Sequence, residues 1–199
     1  TTYLAIRRKL PCVPVAQLLL DGAGFYEGVI LVRTGDGFSS LLDLEGKRLA
    51  FIDPRSTSGY IYPKYYFKKK GIRVEEFFSS VEFAKSHTNA LLRLVSKRYD
   101  AVCTERDMLK RLADKVDTTK IQVLDVTGRI PNGPVAVHPR IEEPMRRLAT
   151  RVLTTMVSDP EGSKLIEDLR KQSKISGFAP VSLAVYEDVA KVLEAVEEK

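Results

Sequence analysis

A run of three hydroxyl residues followed by glycine, Ser56-Thr57-Ser58-Gly59, has the composition of an anion-binding turn. The run lies between a strand predicted over residues 47–52 and a helix predicted over residues 59–70, with Ser58 as the predicted N-cap. The first N–H groups of a helix have no acceptor within the helix and lie at the positive end of its dipole. Capping alone explains one hydroxyl, but three hydroxyls and a glycine exceed what a cap requires. The segment therefore predicts a site for phosphate-like oxygens, to which hydroxyls and N–H groups donate.

Two other residues can contribute to the same site. His87 starts a helix predicted over residues 86–97, and that start is expected at the carboxyl edge of the sheet, where α/β proteins bind ligands. A neighbouring anion favours the imidazolium form, although a surface histidine at a helix start is the plain alternative. Tyr26 lies at the beginning of the crossing strand, which is predicted over residues 25–33. It supplies either a phenol O–H or a ring wall to a ligand, or else it packs as an ordinary strand aromatic.

The elements that must position these residues alternate between strand and helix. From residue 47 to residue 126 the alternation indicates parallel βαβ units. Within and after this block the sequence also predicts a helix over 105–115, a strand over 121–126, a loop over 128–133, and three final helices over 142–157, 160–172 and 183–197. Two extended segments, 25–33 and 134–138, flank the block, which is the connectivity of a two-lobed, hinged binding protein.

Several motifs resemble the phosphate, phosphite and phosphonate solute-binding proteins of ABC importers. The first motif is Phe51-Ile52-Asp53-Pro54 with Ser56-Thr57-Ser58-Gly59-Tyr60, and the second is Ser86-His87-Thr88-Asn89-Ala90-Leu91 followed by Tyr99-Asp100-Ala101-Val102. Three further matches follow the family's order: Phe25-Tyr26-Glu27-Gly28-Val29-Ile30-Leu31-Val32, Ile130-Pro131-Asn132-Gly133-Pro134 and Ser158-Asp159-Pro160-Glu161-Gly162. Together these matches run along nearly the whole chain.

The resemblance implies an α/β, type II periplasmic-binding-protein-like fold, with two lobes joined by crossing strands and part of the first lobe missing. The implied domains are residues 1–36 (the remainder of lobe 1 and a crossing strand), 37–132 (the α/β domain of lobe 2) and 133–199 (the return crossing strand and the C-terminal helices of lobe 1). The family's chains are longer and begin with βαβ units that have no counterpart here. Self-association of the short chain, which would cover its unpaired sheet edges, is therefore a further expectation.

The resemblance also implies which residues contact the ligand. Ser56, Thr57, Ser58, Gly59, His87 and Tyr26 match the family's pattern. The family has an acidic residue after the strand that begins here with Asp100-Ala101, and Asp107 or Glu105 matches that position. The family's return loop often has a second acidic residue, and this sequence has Asn132 there. Asp107 and Asn132 are therefore the candidates for the distal end of the ligand. Because such acids hold the ammonium of amino-phosphonates, the departure at Asn132 puts a preference for those ligands in question.

The predicted function is capture of phosphate, phosphite or a phosphonate by lobe closure, for the membrane subunits of an ABC importer. The implied location is periplasmic or extracellular, with membrane association through the transporter. No cofactor or metal is implied, and the sequence contains no GxSxG, Walker A or HExxH motif, so no enzyme is predicted. Two alternatives are a ligand-sensing domain of a membrane receptor or signalling protein, and an enzyme of similar fold that acts on a phosphorylated substrate.

Net charge and rare residues limit the remaining function classes. A net charge of +6 and a pI near 9.3 suit an anionic partner without specifying its kind, so a nucleic-acid binder is a third alternative. The run Lys68-Lys69-Lys70 is better explained as compensation of a helix dipole, and no nucleic-acid partner is predicted. With two histidines in the sequence, no multi-histidine metal centre is predicted, and Cys12 and Cys103 are compatible with one disulfide or with two buried thiols.

Overall fold

The computed structural model describes residues 2–197, and these residues form two compact units. Unit 1 comprises residues 2–25 and 131–191, and unit 2 comprises residues 26–130 and 192–197. The helices are α1 (Thr2–Arg7), α2 (Tyr62–Lys69), α3 (Val74–Phe77), α4 (His87–Val95), α5 (Met108–Arg111), α6 (Glu143–Thr155), α7 (Pro160–Ser173) and α8 (Leu183–Glu197). The strands are β1 (Val13–Leu20), β2 (Phe25–Arg33), β3 (Arg48–Phe51), β4 (Ser80–Phe83), β5 (Ala101–Glu105), β6 (Ile121–Pro131), β7 (Pro134–Val137) and β8 (Ile175–Ala179). None of the helices within residues 2–197 combines the length and the apolar composition that a bilayer crossing requires.

The sheet of unit 2 has the strand order β4-β3-β5-β2-β6. β3 pairs in parallel with β4 and with β5, as predicted for βαβ units, whereas β2 pairs antiparallel with β5. Alternate residues of β2 enter two apolar clusters: Val29 and Leu31 belong to the first cluster, and Ile30 and Val32 to the second. Because both faces of the central strands are buried, these strands appear in the sequence as continuous apolar runs.

Helices complete both apolar clusters of unit 2. The α4 residues Ala90, Leu91 and Leu94 are fully buried in the first cluster, at the spacing of one helix face. Phe67 of α2 and Val74 of α3 are buried in the second cluster. Since α2 follows β3 and α4 follows β4, and these strands are parallel, both helices begin at the same edge of the sheet.

Unit 1 contains a smaller sheet in the order β7-β1-β8, in which both strand pairs are antiparallel. The sequence did not predict β8, which is short and contains a glycine. In the structure this glycine, Gly177, has a φ of 152°, and β8 pairs with β1 through partners such as Leu18 and Phe178. α6 has no buried residue among its side chains. Its apolar side chains Met145, Leu148 and Val152 are 57%, 49% and 51% exposed.

Two predicted elements of unit 2 differ from the structure. The helix predicted over 105–115 is reduced to α5, because Glu105 continues β5 and pairs with Gly28 of β2. β6 runs through most of the loop predicted over 128–133. Glycine is needed within this strand at position 128, where φ is +157° and a Cβ atom would lie 2.7 Å from the ring of Tyr62.

The domain boundaries predicted at residues 36/37 and 132/133 stay a prediction, and the compact units differ from them in three places. Residues 26–36 belong to unit 2, because residues 28–32 of β2 pair with β5. Residues 131–132 belong to unit 1. The end of α8, from Val192, also belongs to unit 2.

Candidate functional site

The hydroxyl turn opens the helical segment after β3, and Ser56 rather than Ser58 is its N-cap. Ser56 Oγ accepts a hydrogen bond from the Gly59 N–H at 3.0 Å. The helix begins with a wide π turn over Thr57–Ile61, in which the Ile61 N–H donates to the Ser56 carbonyl at 3.0 Å. The prediction of Ser58 as the cap is therefore wrong by two residues.

The earlier start has a local cause in the turn that leaves β3. The Asp53 carboxylate accepts from the Arg55 N–H at 2.9 Å, and the Asp53 carbonyl accepts from the Ser56 N–H at 2.9 Å. These bonds end the turn at residue 55, so that Ser56 occupies the capping position. As a result, Thr57 and Ser58 lie in the first turn of the helix, and Ser58 is buried at 4% exposure.

Gly59 is required by close packing of this turn against the end of β3. A Cβ atom at position 59 would lie 2.6 Å from Ile52 Cβ and 2.8 Å from Ser56 Oγ. The Gly59 carbonyl also accepts from the Ile52 N–H at 3.1 Å, which fixes the helix start to the strand end. The glycine therefore holds the three hydroxyls at the edge of the sheet.

Tyr26 joins the hydroxyl turn through its phenol group. The hydroxyl forms side-chain hydrogen bonds with Thr57 and Ser58. Burial, followed by the nearby carboxylate of Glu105, raises the pKa of Tyr26 to about 12. The phenol therefore stays protonated at neutral pH and is available as a neutral hydrogen-bond donor in contact with two further hydroxyls.

His87 is held at the start of α4 by capping and by a threonine. Ser86 is the N-cap, and its Oγ accepts from the Asn89 N–H at 3.1 Å. His87 Nδ1 lies 2.6 Å from the hydroxyl of Thr104, which is fully buried on β5. Burial, followed by the positive charge of Arg111, lowers the pKa of His87 below its ordinary value. The imidazole is therefore neutral near pH 7, with one nitrogen engaged by Thr104.

The acidic candidates near this edge differ in their surroundings. Asp107 is exposed and precedes the short helix α5. Glu105 ends β5, accepts from Arg111 Nη1 at 2.8 Å, and acts on the phenol of Tyr26 by its charge. Of the two acids that fit the sequence pattern, Glu105 is thus the one that interacts with Tyr26, whose phenol contacts the hydroxyl turn. The role of Asp107 in binding stays a prediction.

Asn132 lies in unit 1, where its side-chain Nδ2 and its backbone carbonyl bond to neighbouring residues, whereas its buried Oδ1 has no partner among the described residues. Its side-chain Nδ2 donates to the carbonyls of Ala23 and Leu18 at 2.7 and 3.2 Å. Its backbone carbonyl accepts from the Tyr186 hydroxyl at 2.8 Å. A contact between Asn132 and a ligand stays a prediction.

The sequence did not point to Thr127, and it gave Gly28 no role in the site. Thr127 lies on β6 beyond the predicted end of that strand, with 6% exposure. A Cβ atom at Gly28 would lie 2.5 Å from Thr127 Oγ1 and 3.7 Å from Ser58 Cα, so Thr127 and the hydroxyl turn both approach Gly28. No sequence motif marks Thr127.

Neither a metal cluster nor a disulfide is present in the part of the chain that the structure describes. Within residues 2–197 there is no group of three or more histidine, cysteine or acidic side chains that could hold a metal ion. Cys12 and Cys103 are both free thiols. Burial raises the pKa of the Cys103 thiol well above its ordinary value, so this thiol is unreactive in the folded chain.

The sequence was compared with known protein families and relatives. Residues 1–186 match the family described as "ABC transporter, phosphonate, periplasmic substrate-binding protein". The chain is 28% identical over 167 residues to the phosphonates-binding periplasmic protein of Escherichia coli (80% of this chain, 47% of the relative). It is 24% identical over 198 residues to the phosphate-import protein PhnD of Mycolicibacterium smegmatis (91% of this chain, 62% of the relative). The chain thus spans about half to three fifths of the length of these relatives.

Solved structures of similar fold include two proteins that were solved with different ligands. XAC2383 of Xanthomonas citri, solved bound to ATP, has a TM-score of 0.75 at 17% identity, covering 94% of this chain and 71% of that one. PhnD1 of Prochlorococcus marinus, solved with methylphosphonate, has a TM-score of 0.74 at 15% identity, covering 100% of this chain and 76% of that one. These likenesses confirm the predicted type II periplasmic-binding-protein fold. Because the family match extends over residues 1–186, the chain belongs to the periplasmic substrate-binding proteins of phosphonate ABC transporters.

Proposed function

We propose that this chain binds a small phosphorus oxyanion, either phosphate, phosphite or a phosphonate, as the solute-binding component of an ABC importer. The observation that carries the proposal is the contact of the Tyr26 phenol with the hydroxyls of Thr57 and Ser58 at the start of a helix. Three neutral donors gathered at the positive end of a helix dipole suit a tetrahedral anion. The family is one of binding proteins, so we propose capture without chemical turnover.

His87 is proposed as a fourth donor to the anion. Its Nδ1 is engaged by Thr104, so the second ring nitrogen is the one assigned to the ligand. In the unliganded chain the imidazole is neutral, because burial lowers its pKa. A bound anion would favour protonation of the ring, which strengthens the hydrogen bond by adding charge to it.

Glu105 or Asp107 is proposed to face the distal substituent of the ligand. A carboxylate accepts hydrogen bonds but cannot donate them, so it favours a ligand with a hydroxyl or ammonium group at that end. Glu105 interacts by charge with the Tyr26 phenol and is therefore the stronger of the two candidates. A preference for 2-aminoethylphosphonate over methylphosphonate would support this role, and Glu105→Gln should reduce that preference.

The test of the proposed function is calorimetric titration of the chain with phosphate, phosphite, methylphosphonate and 2-aminoethylphosphonate. Methanesulfonate is the matched control, because it has the same shape as methylphosphonate but cannot exceed one negative charge. We expect at least one phosphorus oxyanion to bind more tightly than methanesulfonate, with little loss between low and moderate salt. A nucleic-acid binder would instead lose affinity steeply with salt. No binding of any of the four phosphorus compounds would contradict the proposal.

The hydroxyl turn is tested by two substitutions that remove single oxygens. Each lost hydrogen bond to a charged ligand is worth about 1.5–3 kcal/mol, so Thr57→Val and Ser58→Ala should each weaken binding about 10- to 100-fold. Ser79→Ala is the control, because Ser79 is an exposed serine in the same unit. Unchanged affinity in both site variants would remove the turn from the site.

We further propose that the chain acts in the periplasm or outside the cell, with the membrane subunits of the transporter as its partners, and that the isolated chain self-associates. The apolar face of α6, formed by Met145, Leu148 and Val152, is exposed, and exposed apolar faces of this kind favour association. Sedimentation should therefore show a concentration-dependent mass that Leu148→Lys reduces. A monomer at every concentration would contradict self-association and would leave the binding proposal intact.

A further inference from the structure

We propose that Thr127 is an additional ligand-contacting residue of the oxyanion site, whose hydroxyl forms a hydrogen bond with an oxygen of the bound anion. This inference rests on the proposed function, because it requires an anion at the turn formed by Ser56, Thr57 and Ser58. It adds a contact from β6, at a position that no sequence motif marks.

The first observation is that the hydroxyl of Thr127 is buried and lacks a partner. Thr127 is only 6% exposed, and its Oγ1 atom makes no hydrogen bond with any residue that the structure describes. Buried polar groups are nearly always hydrogen-bonded, because water no longer solvates them. An exception in a folded chain therefore needs an explanation. An oxygen atom of a bound ligand would be the missing partner of the Thr127 hydroxyl, and it would also explain why this hydroxyl lies near the hydroxyl turn.

The second observation is that Thr127 and the hydroxyl turn converge on one glycine. A Cβ atom at Gly28 would lie 2.5 Å from Thr127 Oγ1 and 3.7 Å from Ser58 Cα. Gly28 is not among the residues with positive φ, so its backbone conformation is one that any residue can adopt. Glycine is thus needed at position 28 because a larger side chain would collide with the Thr127 hydroxyl, close to the hydroxyl turn.

The chemistry of the position fits the remainder of the site. Tyr26, Thr57 and Ser58 already supply neutral O–H groups there, and Thr127 adds a fourth O–H group from a different strand. A hydroxyl donates one hydrogen bond and accepts others, so it can serve a deprotonated oxygen as a donor or a P–OH group as an acceptor. Hydroxyls approaching from β6 and from the helix start can contact different oxygens of one tetrahedral anion.

The test uses Thr127→Val, which replaces the hydroxyl by a methyl group and keeps the shape of the side chain. We expect binding of methylphosphonate and of phosphate to weaken about 10- to 100-fold, as for the loss of one hydrogen bond to a charged group. The urea midpoint of the unliganded chain should stay the same or rise, because a buried polar group without a partner has been removed. Thr127→Ser restores the hydroxyl and should recover most of the lost affinity.

Two further variants make the result decisive. Thr34→Val removes an exposed threonine hydroxyl at the opposite end of β2 and controls for the substitution itself. If Ser58→Ala weakens binding but Thr127→Val does not, the Thr127 inference is overturned and the proposed function stands. If Thr127→Val lowers both the urea midpoint and the affinity, and Thr127→Ser recovers neither, the residue is structural and the inference is also overturned. If the wild-type chain binds neither methylphosphonate nor phosphate, the inference falls with the proposed function.

Discussion

Replacing Tyr26 by phenylalanine removes one oxygen atom from the centre of the site and keeps the aromatic ring. The sequence left open whether this residue supplies a phenol donor or a ring wall, and the substitution separates the two. In the structure the phenol forms hydrogen bonds with the side chains of Thr57 and Ser58, and the residue is partly buried. We therefore expect Tyr26→Phe to lower both the stability of the unliganded chain and its affinity for the anion.

The expected size of the effect follows from the bonds that are lost. Two neutral hydrogen bonds, each worth about 0.5–1.5 kcal/mol net, give a loss of about 1–3 kcal/mol in the free energy of unfolding. The upper half of that range is expected, because Ser58 is 4% exposed and its hydroxyl cannot turn to water instead. The pKa of Tyr26 is raised to about 12, so the loss should be the same at every pH between about 6 and 9.

Urea denaturation and calorimetric titration with methylphosphonate measure the two effects separately. Tyr65→Phe is the control, because Tyr65 is a partly buried tyrosine of α2 whose ring packs under Lys69. In a double-mutant cycle with Ser58→Ala, the unliganded chain should show a coupling of about 0.5–1.5 kcal/mol, the value of one shared hydrogen bond. The reasoning is refuted if Tyr26→Phe matches Tyr65→Phe in both stability and affinity, since Tyr26 would then act only as a ring.

Two further predictions concern packing and protonation. Gly59→Ala should destabilise the chain by about 1–3 kcal/mol in urea denaturation, because its Cβ atom would lie 2.6 Å from Ile52 Cβ. Gly133→Ala, where nothing lies within 4 Å of the added atom, should have a smaller effect, and equal losses would contradict the packing argument. The folded-state pKa of His87 lies below its ordinary value, so its contribution to stability is present above about pH 6.5 and is lost as pH falls. The free energy of unfolding of the wild type should thus decline more steeply than that of His87→Gln between about pH 7 and pH 5, and parallel curves would show that His87 is not buried as described.

The sequence showed where the hydroxyl turn lies but not how it is capped. Three adjacent hydroxyls mark a helix start, because Ser and Thr favour that position whichever of them caps the helix. The actual cap, Ser56, is determined by the preceding turn, in which the Asp53 carboxylate binds the Arg55 N–H. That contact depends on side-chain geometry, which residue types alone do not specify.

Elements buried on both faces were predictable, and elements that depend on distant partners were not. β2, β3 and β5 are continuous apolar runs, and their pattern alone predicts buried strands. β8 contains Gly177 and is a strand because β1 pairs with it, from a segment more than a hundred residues earlier in the chain. The prediction ended β6 at residue 126, and for that reason Thr127 was absent from the predicted site.

The two free thiols lie in different units. Cys103 is fully buried on β5 of unit 2, and Cys12 is partly buried immediately before β1 of unit 1. A thiol reagent modifies only a solvent-accessible thiolate, and burial keeps the thiol of Cys103 both covered and protonated. The rate at which Cys103 is labelled therefore reports the opening of unit 2, and labelling of Cys12 reports exposure at the start of β1. The natural chain thus carries a chemical probe in each unit, with which protection by a ligand at the proposed oxyanion site can be followed without an introduced label.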